Sequence, residues 1–150
     1  IMDVHYEQFD KQIETNLKGA YFLSQKFLRM YEKKHRNGGS ILFLSSERGH
    51  YADDLPYGLI KAAINSLTQG LAKMLIHSNI RINAIAPGIT TTDMTGITKD
   101  DIYADDYSTG RYYLPEEVAE VACFLVSDAS SCLSGQIIIC NNGDSINYRK

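Results

Sequence analysis

A chain of 150 residues that is 44% hydrophobic and 22% charged has the profile of one soluble globular domain, able to bury roughly two-thirds of its unfolded surface. The formal net charge of −3 argues against the broad basic face that a nucleic acid or an anionic membrane requires. Cys123, Cys132 and Cys140 are odd in number and lack metal-ligand spacing, which points to a reducing, cytoplasmic setting with no metal site. No apolar run approaches the ~20 residues of a membrane-spanning helix. Residues 1–10 have neither the basic start nor the apolar middle of a signal peptide, and a first residue Ile1 leaves open that the chain is part of a longer polypeptide.

From Tyr6 to Lys34 apolar residues recur at helical spacing, through Phe9, Ile13, Leu17, Ala20, Phe22, Leu23, Phe27 and Met30, and predict one long helix. Lys33, Lys34, His35 and Arg36 suit its negative pole as a solvated terminus, and Asn37-Gly38-Gly39 marks the stop. Ile41 to Leu44 is a continuous apolar run after glycines, the pattern of a strand buried on both faces, and it ends in Ser45-Ser46. Asp54 as N-cap and Pro56 at an early helical position start an Ala- and Leu-rich helix that runs to about His77. A second strand covers Ile80 to Ala86 and is broken by Pro87-Gly88. The Thr- and Asp-rich stretch to Tyr113 is the least regular, with one short helix expected over Thr98 to Tyr103. Leu114-Pro115-Glu116-Glu117 opens a further helix ending near Asp128, and Gln136 to Cys140 forms a third strand closed by Asn141-Asn142-Gly143.

Strands alternating with helices of this length imply parallel strands joined by right-handed crossovers, hence an α/β fold, a doubly wound parallel sheet with about three strands and flanking helices. Ligands in such sheets sit beyond the carboxyl ends of the strands, a rule that selects Ser45-Ser46, Pro87-Gly88 and Asn141 to Gly143. Tyr57 and Lys61, four apart on a helix, emerge on one face within reach of a common ligand. Spacing alone does not separate them from a surface aromatic beside a solvated lysine. Their place between two strand ends on one sheet edge is what makes them candidates.

Asn16-Leu17-Lys18-Gly19, Ser46 with Gly49 three residues on, Tyr57-Gly58-Leu59-Ile60-Lys61-Ala62-Ala63, Asn83-Ala84-Ile85-Ala86-Pro87-Gly88 and Gly135-Gln136 follow one another in a telling order. In that order and spacing the chain resembles the short-chain dehydrogenase/reductases over nearly its whole length, with a particular likeness to 3-oxoacyl-carrier-protein reductases and sugar or polyol dehydrogenases. The resemblance implies a Rossmann-like sheet and an oxidoreductase that moves a hydride between a nicotinamide cofactor, NAD or NADP, and a small alcohol or ketone. It implies Tyr57 as general acid/base, and Lys61 as the cation that eases ionisation of the phenol and grips the nicotinamide ribose. A phenol of pKa ~10 lies about 4 kcal/mol from ionisation at neutrality, and a cation near ~4 Å supplies about that much at an effective dielectric of ~20.

By the same resemblance Ser46 polarises the substrate oxygen, with Ser45 as the alternative hydroxyl that the offset to Gly49 disfavours. Asn16 binds a water that relays protons from Lys61; the plainer reading is a polar residue that interrupts a helix and bonds its own backbone. Pro87, Gly88, Ile89 and Thr92 hold the nicotinamide carboxamide, Gly88 letting the chain pass close to the ligand, while the alternative is an ordinary strand-ending turn. Tyr103, Tyr107, Tyr112 and Tyr113 receive no substrate role.

The chain also departs from the family. Members run to about 250 residues as one domain, opening with a strand, a glycine-rich turn and a helix that hold pyrophosphate and adenosine. No such stretch occurs here, so residues 1–150 are expected to be the C-terminal part of one domain, the nucleotide-binding half being absent. The outer edge of the Ile41–Leu44 strand is then expected to be open, and to be covered by more chain, oligomerisation or strand exchange. Ile60 stands where many members have serine, and Asn142-Gly143-Asp144 where a Gly-Gly pair is common. The family's interface helices correspond to Tyr6–Lys34 and Pro56–His77, so a homodimer or homotetramer is expected by resemblance. The rival reading is a non-catalytic remnant that keeps those helices and binds no cofactor; a hydrolase using Ser46 lacks both a placed histidine and a nucleophile-elbow pattern.

Overall fold

In the computed structural model, which describes residues 1–35, 38–105 and 107–146, β1 (Gly39–Leu44), β2 (Ile80–Pro87) and β3 (Ile137–Cys140) form one parallel sheet in that order. Phe43 lies opposite Ala84 and Ala86 opposite Ile139, and because all strands run the same way their carboxyl ends share one edge. Alternation along β2 sends Ile80, Ile82 and Ala84 to one face, where with Phe43 they meet Ile64 and Ala72 of α3 (Pro56–Met74) to form the core. On the other face Arg81 donates to the carbonyls of Leu125, Ser127 and Ser130, at the end of α4 (Pro115–Val126). A cation thereby closes the negative pole of that helix. Fully buried Asn83 donates to the Leu133 carbonyl and accepts the Gln136 N–H, fastening β2 to the chain that leads into β3. Helices cover both faces, as the alternation of elements implies.

Several boundaries differ from expectation for identifiable reasons. The long first helix is continuous but consists of α1 (Tyr6–Gln12), a wider π-helical segment Ile13–Lys18, and α2 (Gly19–Lys33). His35, at φ +47°, leaves the helical path beyond α2; Arg36 and Asn37, part of the expected stop, lie outside the described residues. Only Phe43 of the β1 apolar run is buried, and Leu44 is 63% exposed, because β1 is the sheet's edge and no described strand pairs with its outer side.

Asp54 is exposed and does not cap α3; extended Leu55 stands at the N-cap, its N–H bonded to Asp53 Oδ1 at 2.9 Å. The helix ends at Met74 rather than His77. The helix expected over Thr98–Tyr103 shrinks to a single turn, Lys99–Asp101. Tyr112 N–H bonds the Ile102 carbonyl and Tyr103 pairs with Arg111, so the backbone that would continue the helix is used across the loop. No helix among the described residues is long and apolar enough to cross a membrane.

Candidate active site

Beyond Leu44 the chain passes Ser45 and Ser46 and turns through one 3₁₀ turn, Glu47–Gly49. Gly49 lets this turn lie directly on α3: a Cβ there would stand 2.6 Å from the Lys61 carbonyl carbon and 2.8 Å from the Ala62 nitrogen. Asn65 then pins both ends of the turn, its Oδ1 accepting the Ser45 hydroxyl at 2.6 Å and its Nδ2 donating to the Gly49 carbonyl at 2.9 Å. The three-residue offset between Ser46 and Gly49 is therefore a packing requirement of the helix that carries Tyr57 and Lys61. Sequence reading passed over Asn65. Its only signal is its position four residues past Lys61, on the same helix face.

Both serines line the cleft and differ in what their hydroxyls bond. Ser45 is 2% exposed and its hydroxyl is committed to Asn65, with the Lys61 carbonyl at 3.3 Å. Ser46 is 8% exposed and lines the cleft, its Oγ accepting the Arg48 N–H at 3.3 Å. An oxygen that accepts from backbone keeps its own proton to donate. Buried Lys61 donates from Nζ to the Leu44 carbonyl at 2.9 Å and lies 5.4 Å from the centre of the Tyr57 ring. Loss of water around this ammonium moves its pKa below the usual lysine value. Asn16 sits in the π-helical segment and donates to the Gln12 carbonyl at 3.2 Å while also lining the cleft. The backbone-bonding reading of Asn16 and its presence at the site hold together.

After β2 the chain is held by Tyr113, whose N–H bonds the Ile89 carbonyl and whose carbonyl accepts the Thr91 N–H, both at 2.9 Å. The absence of a side chain at Gly88 is also required by the protein's own packing. A Cβ there would meet Tyr113 at 2.9 Å, Asn141 at 3.0 Å and Glu47 at 3.1 Å, so the crowding comes from the protein itself. Thr92 is exposed, and its hydroxyl makes only a long 3.5 Å contact to the Thr90 carbonyl and a 3.4 Å contact to Thr95.

One cleft of about 530 Å³ gathers Asn16, Ser46, Tyr57, Lys61, Pro87, Gly88, Ile89 and Thr92, whereas Asn141 and Gly143, also selected by the strand-end rule, line a separate hollow. A larger hollow of about 730 Å³ between α2 and α3 contains none of them. Two further polar residues stand at the same edge. Buried Asn141, at the end of β3, donates to Glu47 at 2.8 Å and to Ser145 at 2.9 Å. The strand-end rule selects Asn141, but nothing in the sequence ties it to Glu47. Among the tyrosines, Tyr113 packs at Gly88 and Tyr103 is exposed, while burial first and the Glu47 and Asp144 carboxyls next push the Tyr107 phenol far above its usual pKa.

A family model described as enoyl-(acyl carrier protein) reductase matches residues 1–145. The chain belongs to the short-chain dehydrogenase/reductase family. The 3-oxoacyl-[acyl-carrier-protein] reductase FabG of Thermotoga maritima is 39% identical over 142 residues, 91% of this chain and 57% of that protein. The NAD-dependent glycerol dehydrogenase of Listeria innocua is 37% identical over 150 residues, 96% of this chain and 58% of that protein. The solved short-chain dehydrogenase of Leptospira borgpetersenii with bound NAD+ superposes at a TM-score of 0.83 and 28% identity, covering 97% of this chain and 59% of that one. This short-chain dehydrogenase/reductase chain thus spans somewhat over half the length of the relatives it matches. Its unusual Ile60 is buried in the interior rather than facing the cleft, which explains why an apolar residue serves there.

Proposed function

We propose that the chain carries the proton-transfer centre of a nicotinamide-dependent alcohol/ketone oxidoreductase, as the catalytic-residue-bearing part of a larger Rossmann sheet. The observation that carries this reading is the meeting of Ser46, Tyr57 and Lys61 in one cleft with Asn16 and the Pro87–Thr92 segment. The open edge of β1 and the share of the relatives' length that the chain spans support the larger sheet.

A nicotinamide fits the residues present. Pro87 and Ile89 give apolar walls, the Thr92 hydroxyl is free of short bonds, and Lys61 lies deeper in the same cleft. The cofactor, NAD or NADP, would supply or accept the hydride. In the reducing direction the Tyr57 hydroxyl passes its proton to the substrate oxygen, and in the oxidising direction the phenolate takes one away. Lys61 stabilises that phenolate through its positive charge. Ser46, its oxygen already accepting the Arg48 N–H, donates to the substrate oxygen and holds it beside Tyr57. Asn16 orients a water through which Lys61 is reprotonated.

Tyr21, Phe22, Leu23 and Leu59 leave large apolar surface exposed on α2 and α3, which supports a homodimer or homotetramer through these helices. Titration of the protein of the full reading frame that contains this chain with NADH and NADPH, followed by nicotinamide fluorescence, tests the reading. Saturable binding is expected, competed by the oxidised form; absence of binding at millimolar cofactor would instead fit a non-catalytic remnant.

A further inference from the structure

We infer that Glu47 is a specificity residue, whose carboxyl at the wall of the cleft selects a substrate bearing a second hydrogen-bond donor, a hydroxyl or an ammonium, beside the carbon that is oxidised or reduced. This rests on the oxidoreductase reading of the same cleft. Glu47 follows Ser46 directly, lines the cleft with it, and is 8% exposed. Its Oε2 lies 3.1 Å from where a Cβ on Gly88 would stand, which puts the carboxyl between the Ser46 turn and the end of β2.

Burying a carboxyl is costly unless its acceptor sites are filled. The described partner of Glu47 is a single N–H, donated by Asn141 at 2.8 Å. Among the described residues no cation answers it: Arg48, next in sequence, approaches Asp53 at 2.5 Å instead. Desolvation first and the nearby Asp144 charge next raise the Glu47 carboxyl above its usual range, against the lowering by Asn141. A carboxyl has about four lone-pair sites and one amide proton fills one of them, so acceptor capacity remains where the substrate must sit.

Packing alone does not call for this residue. An aliphatic side chain would fill the space beside Gly88 without the desolvation cost, and a glutamine would keep a bond to Asn141. Pro87, Ile89, Pro115 and Val118 line the cleft together with Arg48 and the hydroxyls of Thr90, Thr92 and Thr95, and Glu47 is the one carboxyl among the described lining residues. Apart from the groups that handle the proton, Glu47 is thus the acidic acceptor in the wall of the cleft. A site built to bond a substrate donor rejects the analogue lacking it far more strongly than a missing methylene is rejected, because the unpaired group stays buried.

The test uses three secondary alcohols of one size, 1,2-propanediol, 1-amino-2-propanol and 2-butanol, oxidised with NAD or NADP by the purified protein of the full reading frame that contains residues 1–150. In each, the carbinol hydrogen leaves as hydride to the nicotinamide and the hydroxyl proton leaves through Tyr57. Wild type is expected to favour the diol or the amino alcohol over 2-butanol by at least about 10-fold in kcat/KM, the better of the two telling hydroxyl from ammonium. Glu47→Leu is expected to bring that ratio to within about 2-fold, and Glu47→Gln to an intermediate value. A ratio within one protein does not depend on the fraction folded. A ratio unchanged in Glu47→Leu, or 2-butanol preferred by wild type, overturns the specificity role alone. Failure of wild type both to bind cofactor and to turn over any of the three overturns the oxidoreductase reading and this inference with it.

Discussion

The ammonium of Lys61 donates to the carbonyl of Leu44 at 2.9 Å, so α3 is hooked to the last residue of β1 by the same side chain that faces Tyr57. Strand end, helix and the proposed proton-handling pair are one mechanical unit. Replacing Lys61 by Met removes a buried charge whose desolvation costs stability, and leaves one carbonyl without its donor. Stability is expected within about 1 kcal/mol of wild type while turnover falls at least about 100-fold. Urea midpoints and steady-state rates check both.

The same group makes stability depend on pH in a direction that can be worked out. The Lys61 amine loses its proton at lower pH in the folded chain than in the unfolded one, whose value is near 10.5. Between the two values the unfolded chain binds more protons, so stability rises with pH across that window. Lys61→Met is expected to lack this rise when its urea midpoints are compared with those of wild type in alkaline buffers.

Asn65 holds the Ser46 turn from both ends, and no other described side chain bonds both Ser45 and Gly49. Asn65→Leu leaves the Gly49 carbonyl unpaired and the Ser45 hydroxyl with its 3.3 Å contact to the Lys61 carbonyl, at a cost of about 1–3 kcal/mol. Because Ser46 then loses its fixed place, kcat is expected to fall more than cofactor affinity. Asn65→Asp keeps the acceptor for Ser45 and loses the donor to Gly49, and is expected to lie between. Equal stability and kcat in Asn65→Leu would remove this role.

At Gly49 a new Cβ would press on the backbone of α3 at 2.6 Å, where no flexible side chain can give way. Gly49→Ala is expected to cost about 1–3 kcal/mol and to displace Ser46. Thermal unfolding measures the first effect and kcat the second.

Arg111 holds the Glu117 carboxyl down to about 2, its side-chain hydrogen bonds acting first and the Leu114 N–H next. The pair fastens the loop after β2 to the start of α4. A carboxyl lowered on folding stabilises the chain above its unfolded value near 4.5 and loses that contribution as pH falls towards 2. Arg111→Ala is expected to raise the Glu117 midpoint by at least about one unit in a carboxyl NMR titration, and to start acid unfolding at higher pH.

What was legible in the sequence was local. Helical and strand periods differ, so the alternation of elements and the parallel sheet could be read, and Ser46–Gly49, Tyr57–Lys61 and Pro87–Gly88 are short spacings at element ends. The hydrogen bond between Glu47 and Asn141 joins residues 94 apart, and the Tyr103–Arg111 pairing crosses an irregular loop. Such contacts leave no periodic trace. The π-helical segment around Asn16 escaped for another reason: one extra residue in a turn barely disturbs a pattern of apolar residues that is already broad. The exposure of Leu44 depends on which strand lies beside it, and no pattern within β1 carries that information.

The most direct measurement is the rate of reduced-nicotinamide oxidation by a small ketone, for the protein of the full reading frame that contains this chain and for its Tyr57→Phe variant, each shown folded by circular dichroism and each saturated with cofactor. The account predicts measurable turnover in wild type and a fall of about 100- to 10,000-fold on losing the single hydroxyl, with cofactor binding retained. Equal rates in the two proteins would contradict it, because the proton would then be moving through some other group.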